Sequence, residues 1–338
     1  MLIDRLFRTL PFNLAQNLLY LYKMIMKILK KSIGITLIFI YSVLFGAGEK
    51  LTIFELTPGG RGTGIGGAYQ AIVDDSTATF WNPAGLSDFA EQNLSISYQK
   101  VFGDYTFWNI SYGLPVLGIG TFAAGVAQFS SGDIIGVGEH EEELPVFSES
   151  QTLFSISYGA PLISLFRLRN RYLKLIDIGA TLKIVHVSIY EYSGTGVGLD
   201  VGAKFRPAKS MNFWNLFNFA FQIKNLVPPG VKLISERDWN MPELNFATSA
   251  FLFYNMLSVN TSFSLLLISP VRFDYAFGLE FQTPYHFSIR TGYNGNFSFG
   301  VGTKIKNFSF DYALIYNSYL GLSHQISVQL NFGTSINI

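Results

Sequence analysis

Glycines and acidic residues whose spacing could support chemistry cluster between residues 57 and 86. Gly62, Gly64 and Gly67 match the pattern G-x-G-x-x-G, which binds a dinucleotide pyrophosphate where it joins a strand to a helix. That fingerprint requires a βαβ unit, whereas this chain continues into an Asn-Pro turn and then into alternating segments. Tight turns and close backbone packing explain the glycines better, and no cofactor is predicted.

The remaining acidic residues, histidines and nucleophiles do not form a recognisable metal or catalytic site. The chain has no cysteine, which excludes disulfides, Cys-based metal sites and Cys nucleophiles. The acidic run 139–143, which includes His140, could bind a divalent cation, but a flexible run of like charges is more often solvated. His186, His286 and His324 are far apart, and no acid or nucleophile has the spacing of a triad. The sequence predicts neither a metal site nor an enzyme.

The composition points to a protein with an apolar surface. Aromatic residues make up 16% of the 338 residues and charged residues only 14%, which is sparse for a water-soluble protein. The net charge of +1, without any Lys/Arg run, gives no field that would attract nucleic acid. We therefore expect lipid as a partner and not nucleic acid.

The N-terminal region has the order of a secretory signal peptide. Three lysines between residues 27 and 31 precede an apolar run over 33–45 and then three small residues. The alternative, a membrane anchor, is less favoured because a spanning helix needs about 20 apolar residues. We expect export, with synthesis starting at Met24 or Met26, and exclude residues 1–48 from the fold.

From residue 92 onward, apolar residues alternate with polar or small ones. Phe297 and Phe299, for example, lie on the opposite face of an extended strand from Ser298 and Gly300. Strands of about 9 to 11 residues span a bilayer when tilted. The pattern predicts an all-β fold, a transmembrane antiparallel β-barrel of fourteen strands over 92–332 with a tail at 333–338. The predicted strands are 92–102, 105–115, 117–130, 151–161, 174–190, 196–206, 215–226, 243–254, 257–268, 270–282, 285–294, 296–304, 307–316 and 321–332.

Connection lengths agree with this topology. If the first strand rises from the periplasm, the long polar connections 131–150 and 227–242 both lie outside, as in outer-membrane barrels. Connection 162–173 is then periplasmic, and we expect a short helix or turn there. A soluble β-sandwich also alternates, but with its apolar face inward. The aromatic content, the signal peptide and the Gly, Ser and Asn on the polar faces favour the membrane.

Residues 49–91 do not alternate, and we expect them to form a compact plug inside the barrel. Asp74 and Asp75 could then meet cations of the barrel wall. Charged residues on the inward faces are expected to pair across the lumen or with the plug. They are Lys183, Asp200, Lys204, Lys224, Arg272, Asp274, Glu280, Arg290 and Asp311.

The motif GGRGTGIGGAYQAIVDD, followed by FWNPAGL and then by fourteen predicted strands, resembles the long-chain fatty-acid transporter (FadL) superfamily. Within that superfamily it is most similar to the PorV/PorQ branch. The motif covers about thirty residues, and the strand count extends the resemblance over 57–332. The resemblance implies an N-terminal hatch that fills and gates the barrel. Its residues here would be Gly62, Gly64, Gly66, Gly67, Asp74, Asp75, Asn82, Pro83 and Ala84.

The resemblance leaves two functions open. Transporters of this superfamily pass hydrophobic molecules from outside through the hatch, with a sideways exit at a kinked third strand. In this chain Gly118, Gly120 and Gly125 could distort that strand, or simply make room for the hatch. The PorV branch implies instead a component that binds or scaffolds exported proteins. Expected partners are outer-membrane lipid, the barrel-assembly machinery, and a hydrophobic small molecule or a secreted protein.

Overall fold

The computed structural model describes residues 52–136, 146–166, 173–207, 217–252, 256–267 and 271–333. The signal peptide, the acidic run 139–143 and the C-terminal tail after residue 333 lie outside the described residues. Fourteen antiparallel strands form one closed barrel, and a separate two-stranded hairpin lies in one connection. Among the described residues, no helix is long and apolar enough to cross a membrane.

Each of the fourteen predicted strands is present, with ends shifted by a few residues. The strands are β1 Gln92–Lys100, β2 Thr106–Val116, β3 Gly120–Ser130, β4 Glu149–Pro161, β5 Ile176–Ile189, β6 Tyr192–Phe205, β7 Phe217–Val227, β8 Gly230–Lys232, β9 Arg237–Trp239, β10 Glu243–Leu252, β11 Leu257–Leu266, β12 Arg272–Gln282, β13 Phe287–Tyr293, β14 Phe297–Ile305, β15 Phe308–Asn317 and β16 Gly321–Phe332. The hairpin β8–β9 was not predicted. Short helices at Leu162–Phe166 and Leu173–Leu175 confirm the helix expected after β4.

The two faces of the strands lie as the alternation requires for a membrane barrel. On β14, Phe297 and Phe299 are 54% and 53% exposed on the outside, whereas Ser298 is buried on the inside. An apolar exterior of this kind is stable only against lipid. Because the sheet is closed, each strand pairs with a neighbour on both sides and no free edge faces the membrane. The apolar face points outward, so the soluble sandwich is excluded and the protein is an outer-membrane β-barrel.

The N-terminal segment, residues 52–91, contacts the inward faces of strands around the whole barrel. The Gly60 nitrogen donates to the Ser327 hydroxyl of β16 at 3.0 Å. Lys204 Nζ of β6, on the far side of the barrel, donates to the Val73 oxygen at 3.0 Å. Because the contacted residues lie on opposite sides of a closed sheet, the segment lies inside the lumen. It contains a short helix at Gly60–Gly64 and two 3₁₀ helices at Ser76–Thr79 and Pro83–Asp88.

At the end of the barrel where β1 meets β2, the β8–β9 hairpin folds back along the inward face of β6. A Cβ on Gly194 of β6 would lie 2.3 Å from the carbonyl oxygen of Lys232. Val231 is buried in one apolar cluster with Phe107 and Leu153 of the wall. The hairpin therefore covers the apolar part of the lumen from the side of the long connections.

Candidate functional site: the plugged lumen

A chain of ion pairs fastens the first helix of the N-terminal segment to the wall. Arg61 Nε and Nη2 donate to the two carboxylate oxygens of Glu280 on β12, each at 3.0 Å. Arg290 Nε donates to Glu280 Oε1 at 2.7 Å, and Arg290 Nη1 donates to Asp311 Oδ1 at 2.6 Å. Glu280, Arg290 and Asp311 are almost fully buried. The alternation predicts these three residues in the lumen. Arg61 was not predicted there, and its position inside the glycine motif was the available signal.

Asp74 and Asp75 do not meet the wall cations expected for them. Asp74 Oδ1 accepts from Arg61 Nη1 of the same segment at 2.8 Å. Asp75 Oδ1 accepts from the Thr77 nitrogen at 2.8 Å and starts the 3₁₀ helix Ser76–Thr79. Its other oxygen accepts from the Tyr69 hydroxyl at 2.8 Å. Gln329 Nε2 of β16 also donates to this second oxygen at 2.8 Å, so the wall contacts Asp75 through a neutral amide and not through a cation.

The Tyr69 phenol is held as a hydrogen-bond donor. Tyr69 is 1% exposed, and burial raises the pKa of its phenol well above the usual value near 10. The Arg61 guanidinium, whose Cζ lies 5.4 Å from the centre of the Tyr69 ring, opposes this rise in the phenol pKa but does not reverse it. The phenol therefore stays protonated and keeps its bond to Asp75 at neutral pH.

The Asn-Pro-Ala motif forms a second anchor, against β5 and β6. Asn82 Oδ1 accepts from the Ala84 nitrogen at 3.1 Å and begins the 3₁₀ helix Pro83–Asp88. At the end of that helix, Asp88 accepts from Lys204 Nζ at 2.6 Å and also from Arg206. The motif thus turns the chain and fixes its exit to the wall.

Close backbone contact explains the glycines of the N-terminal segment and those of the barrel wall. A Cβ on Gly66, whose φ is +68°, would lie 2.6 Å from the nitrogen of Tyr293. A Cβ on Gly292 of β13 would lie 2.2 Å from the Gly66 nitrogen. On the N-terminal segment, Gly62 packs against the Trp81 ring, Gly64 against the Gly300 backbone, and Gly67 has a φ of +83°. These residues shape the segment to the wall and do not form a phosphate site.

The remaining predicted lumen charges form smaller groups. Lys183 of β5 pairs with Asp200 of β6 at 2.7 Å. Arg272 pairs with its neighbour Asp274 at 2.9 Å, and with Glu55 of the N-terminal segment at 3.8 Å. Lys224 lines a cavity between the N-terminal segment and the wall. Within the described ranges, no three acid or His side chains form a group that could hold a metal ion.

A cavity of about 70 Å³ lies between the N-terminal segment and the wall. Its apolar lining comes from the segment and from β2, β3 and β4. Its polar lining comes from β5, β6 and β7 and, within the segment, from Glu55, Thr57 and Thr79. The lining includes Phe54, Leu56, Phe80, Trp81, Phe107, Ala127 and Leu153, together with Glu55, Lys183, Asp200 and Lys224. The cavity is about half the size of a 150 Å³ apolar cavity that holds benzene, so the segment must move before a larger ligand fits.

The third strand is regular. β3 pairs with β2 from Thr106–Ser130 to Val116–Gly120 and with β4 from Thr121–Gly159 onward, without a register shift. Gly118 lies in the turn before β3. A Cβ on Gly125 would lie 2.6 Å from the ring of Phe80. Of the two alternatives for these glycines, a distorted strand is not seen in β3, and Gly125 lies where the N-terminal segment comes closest to the strand.

Comparison with known proteins gives structural neighbours but no sequence relatives. No family model and no curated protein matches the sequence. The toluene transporter TbuX of Ralstonia pickettii superposes with a TM-score of 0.60 at 12% identity, covering 83% of this chain and 100% of that one. The chain has the fold of FadL-like barrels. The CymD monoaromatic hydrocarbon channel (TM-score 0.59, 13% identity, 83% and 99% covered) and a Pseudomonas aeruginosa FadL homologue (0.58, 11%, 85% and 100%) share it.

Proposed function

We propose that the barrel lets small, uncharged apolar molecules cross the outer membrane passively, with the N-terminal segment as the gate. The observation that carries this proposal is the cavity between the segment and the wall, whose lining joins Phe54, Phe80 and Phe107 to four charged side chains. Aromatic and aliphatic walls with a few polar groups are typical of small-molecule sites. Two of the structural neighbours are a toluene transporter and a monoaromatic hydrocarbon channel, which supports this class of ligand.

The charges around the cavity favour a neutral ligand over a carboxylate. Lys183 already binds Asp200 at 2.7 Å and Asn225 Oδ1 at 2.6 Å. Lys224 is the register partner of Glu243 on β10. An anionic ligand would have to compete with Asp200 for Lys183, and Glu55 and Asp200 on the lining would repel it, whereas a neutral ring needs only the apolar surface.

Residues 52–58 are the part of the segment best placed to move. They line the cavity, and their bonds to the wall include Ile53 N to Gln151 Oε1 and Gln325 Nε2 to the Thr57 oxygen, each at 3.0 Å. The rest of the segment is held by the buried ion pairs of Arg61 and Asp88. Movement of residues 52–58 would enlarge the cavity while the rest of the N-terminal segment stays in place.

Two measurements test the gate and the ligand. Removing residues 57–86 should raise the conductance of the barrel in planar bilayers, because the lumen loses its filling. The purified full chain in detergent should bind toluene but not decanoate, as followed by ligand NMR. Unchanged conductance on deletion, or stronger binding of decanoate than of toluene, would contradict the proposal.

A second function, binding of exported proteins at the cell surface, is favoured by a different observation. The β8–β9 hairpin lies at the mouth and exposes large apolar side chains, Ile234, Trp239 and Met241. Exposed apolar groups at the edge of a mouth are suited to contact with a partner. A pull-down from outer membranes, analysed for both proteins and small molecules, separates the two functions. A stoichiometric exported protein bound to the wild type and lost with Trp239→Ser would favour the second.

A further inference from the structure

The lipid-facing side of the barrel carries a charged residue at one place. On the fourteen strands of the wall, as far as the structure describes them, Lys100 is the only Lys, Arg, Asp or Glu at an outward position. All other charged residues of these strands lie at inward positions of the period of two. Lys100 ends β1 at the mouth with the long connections, which outer-membrane barrels turn to the outside. The exterior therefore carries a single cation, at its outer rim.

His324 lies directly beside this cation. Lys100 of β1 and His324 of β16 are register partners, so both side chains leave the same face of the sheet, with Cβ atoms about 5 Å apart. His324 Nδ1 lies 2.7 Å from the Tyr312 hydroxyl of β15. With that hydroxyl donating to Nδ1, the imidazole carries its proton on Nε2, which is left as a free donor. Lys100 and His324, which we call the rim pair, thus present N–H donors side by side.

Within the described residues, the protein supplies no acid to the rim pair. Lys100 and His324 form no ion pair with a carboxylate there, and the bond of His324 to Tyr312 is a neutral one. The nearest acid along the chain is Asp104 in the β1–β2 turn, and it packs against Gly132. The donors of the rim pair are therefore available to an anion from outside the chain.

Apolar side chains surround the rim pair on the outer surface. One outward position farther into the membrane, Tyr98 and Ile326 are register partners, and both are exposed. In the other direction, β15 and β16 continue past the end of β1 with the exposed register partners Tyr316 and Leu322. Tyrosine is enriched where acyl chains meet headgroups. Because charge is costly in hydrocarbon, a cation in this setting needs water or an anionic headgroup beside it.

We propose that the rim pair binds a phosphate group of a lipid headgroup in the outer leaflet. One phosphate oxygen accepts from the Lys100 ammonium and another from His324 Nε2, and charge-assisted bonds of this kind are strong. The acyl chains of the same lipid lie against Tyr98 and Ile326. A phosphorylated glycolipid fits both parts of the site, since its phosphate matches the donors and its chains match the apolar surface. The site lies outside the barrel and is independent of the cavity within the lumen.

Native mass spectrometry of the purified full chain in detergent tests the site, with bis-phosphorylated lipid A as the probe. We expect Lys100→Gln and His324→Gln each to raise the dissociation constant at least about fivefold, and the double variant at least about tenfold. Tyr312→Phe should cause a smaller loss, because the imidazole stays in place but loses the bond that orients it. The matched control is Lys304→Gln, an exposed lysine near the end of β14 at the opposite mouth, which should bind as the wild type does.

Two further arms identify the group that is bound. Lipid A stripped of its phosphates should bind the wild type no more tightly than the bis-phosphorylated form binds the double variant. Millimolar sodium phosphate should leave lipid A bound, because the free anion lacks the acyl chains. Equal binding of lipid A by the wild type and the double variant, an equal loss in Lys304→Gln, or displacement by sodium phosphate would overturn the inference. None of these outcomes bears on toluene binding inside the barrel.

Discussion

The guanidinium of Arg61 meets the carboxylate of Glu280 edge to edge, with Nε donating to Oε1 and Nη2 donating to Oε2, each at 3.0 Å. Two parallel charge-assisted bonds of this kind fix orientation as well as distance. Arg61 belongs to the N-terminal segment and Glu280 to the wall, so the pair sets the position of the segment in the lumen. Arg290 shares the same carboxylate and continues the network to Asp311.

Arg61→Met should loosen the segment and destabilise the protein. Breaking a buried ion pair costs about 3 to 5 kcal/mol, and we expect the lower end because Arg290 still compensates the charge of Glu280. Thermal unfolding in detergent measures the loss, and bilayer recordings should show frequent transient openings. The control is Arg237→Met, an exposed arginine beside Trp239 on the outer hairpin. Equal stability of the two variants would refute the anchoring role of Arg61.

Gly292→Ala should displace the segment by steric contact alone. The added Cβ would lie 2.2 Å from the Gly66 nitrogen, a backbone atom that cannot rotate away. Overpacking of this kind costs roughly 1 to 3 kcal/mol. We expect a lower unfolding temperature together with higher conductance. Gly103→Asn is the control, because Gly103 has open space around it and a φ of +50° that Asn tolerates. Wild-type behaviour of Gly292→Ala would contradict the close contact.

Tyr69→Phe should remove a hydrogen bond to a buried carboxylate. Bonds to charged groups contribute about 1.5 to 3 kcal/mol, so the free energy of unfolding should fall by that amount at pH 7. Tyr285→Phe, at a residue that is 90% exposed, should leave it unchanged. Denaturant titration of both variants makes the comparison. Gln329 Nε2 donates to the same Asp75 oxygen at 2.8 Å, and a neutral effect of Tyr69→Phe would show that this bond alone satisfies the carboxylate.

The raised pKa of the Tyr69 phenol adds an alkaline dependence. Above pH 10 the unfolded chain loses the phenolic proton while the folded protein keeps it, so stability falls as pH rises. Below pH 10 both states carry the proton and this contribution is constant. Between pH 8 and pH 11, the free energy of unfolding should therefore fall less steeply with pH in Tyr69→Phe than in the wild type. Parallel curves would argue that the folded phenol titrates normally.

Ala127→Phe should fill the cavity and block ligand binding. Ala127 is buried on the inward face of β3 and lines the cavity, whereas Ala124 is on the outward face of the same strand. A phenyl ring has about the volume that a bound aromatic ligand would need. We expect toluene binding by Ala127→Phe to fall by at least about tenfold, with wild-type binding by Ala124→Phe. Retained binding in Ala127→Phe would place the ligand site elsewhere.

The direction of wall side chains was predictable from the sequence, whereas the hydrogen-bond partners of the N-terminal segment were not. Glu280, Arg290 and Asp311 lie inside the lumen as the alternation predicted, because the direction of a side chain in a strand depends only on its position in the period of two. The partners of Asp74 and Asp75 differ from those expected. Asp74 bonds to Arg61, and Asp75 bonds to the Ser76–Thr79 turn, to Tyr69 and to the neutral Gln329 of β16; the sequence does not show how the segment coils.

The amino-acid sequence by itself determined the number of strands, the face that each strand turns to lipid, and the segment that does not join the wall. These are properties of short stretches, since alternation, turn residues and chain length act within a few residues of each other. Only the tertiary structure decided that Arg61 binds Glu280, that β3 is regular, and that Lys100 lies opposite His324. Each of these depends on which residues of distant segments come to the same height in the barrel, and that height is set by the register of all strands together.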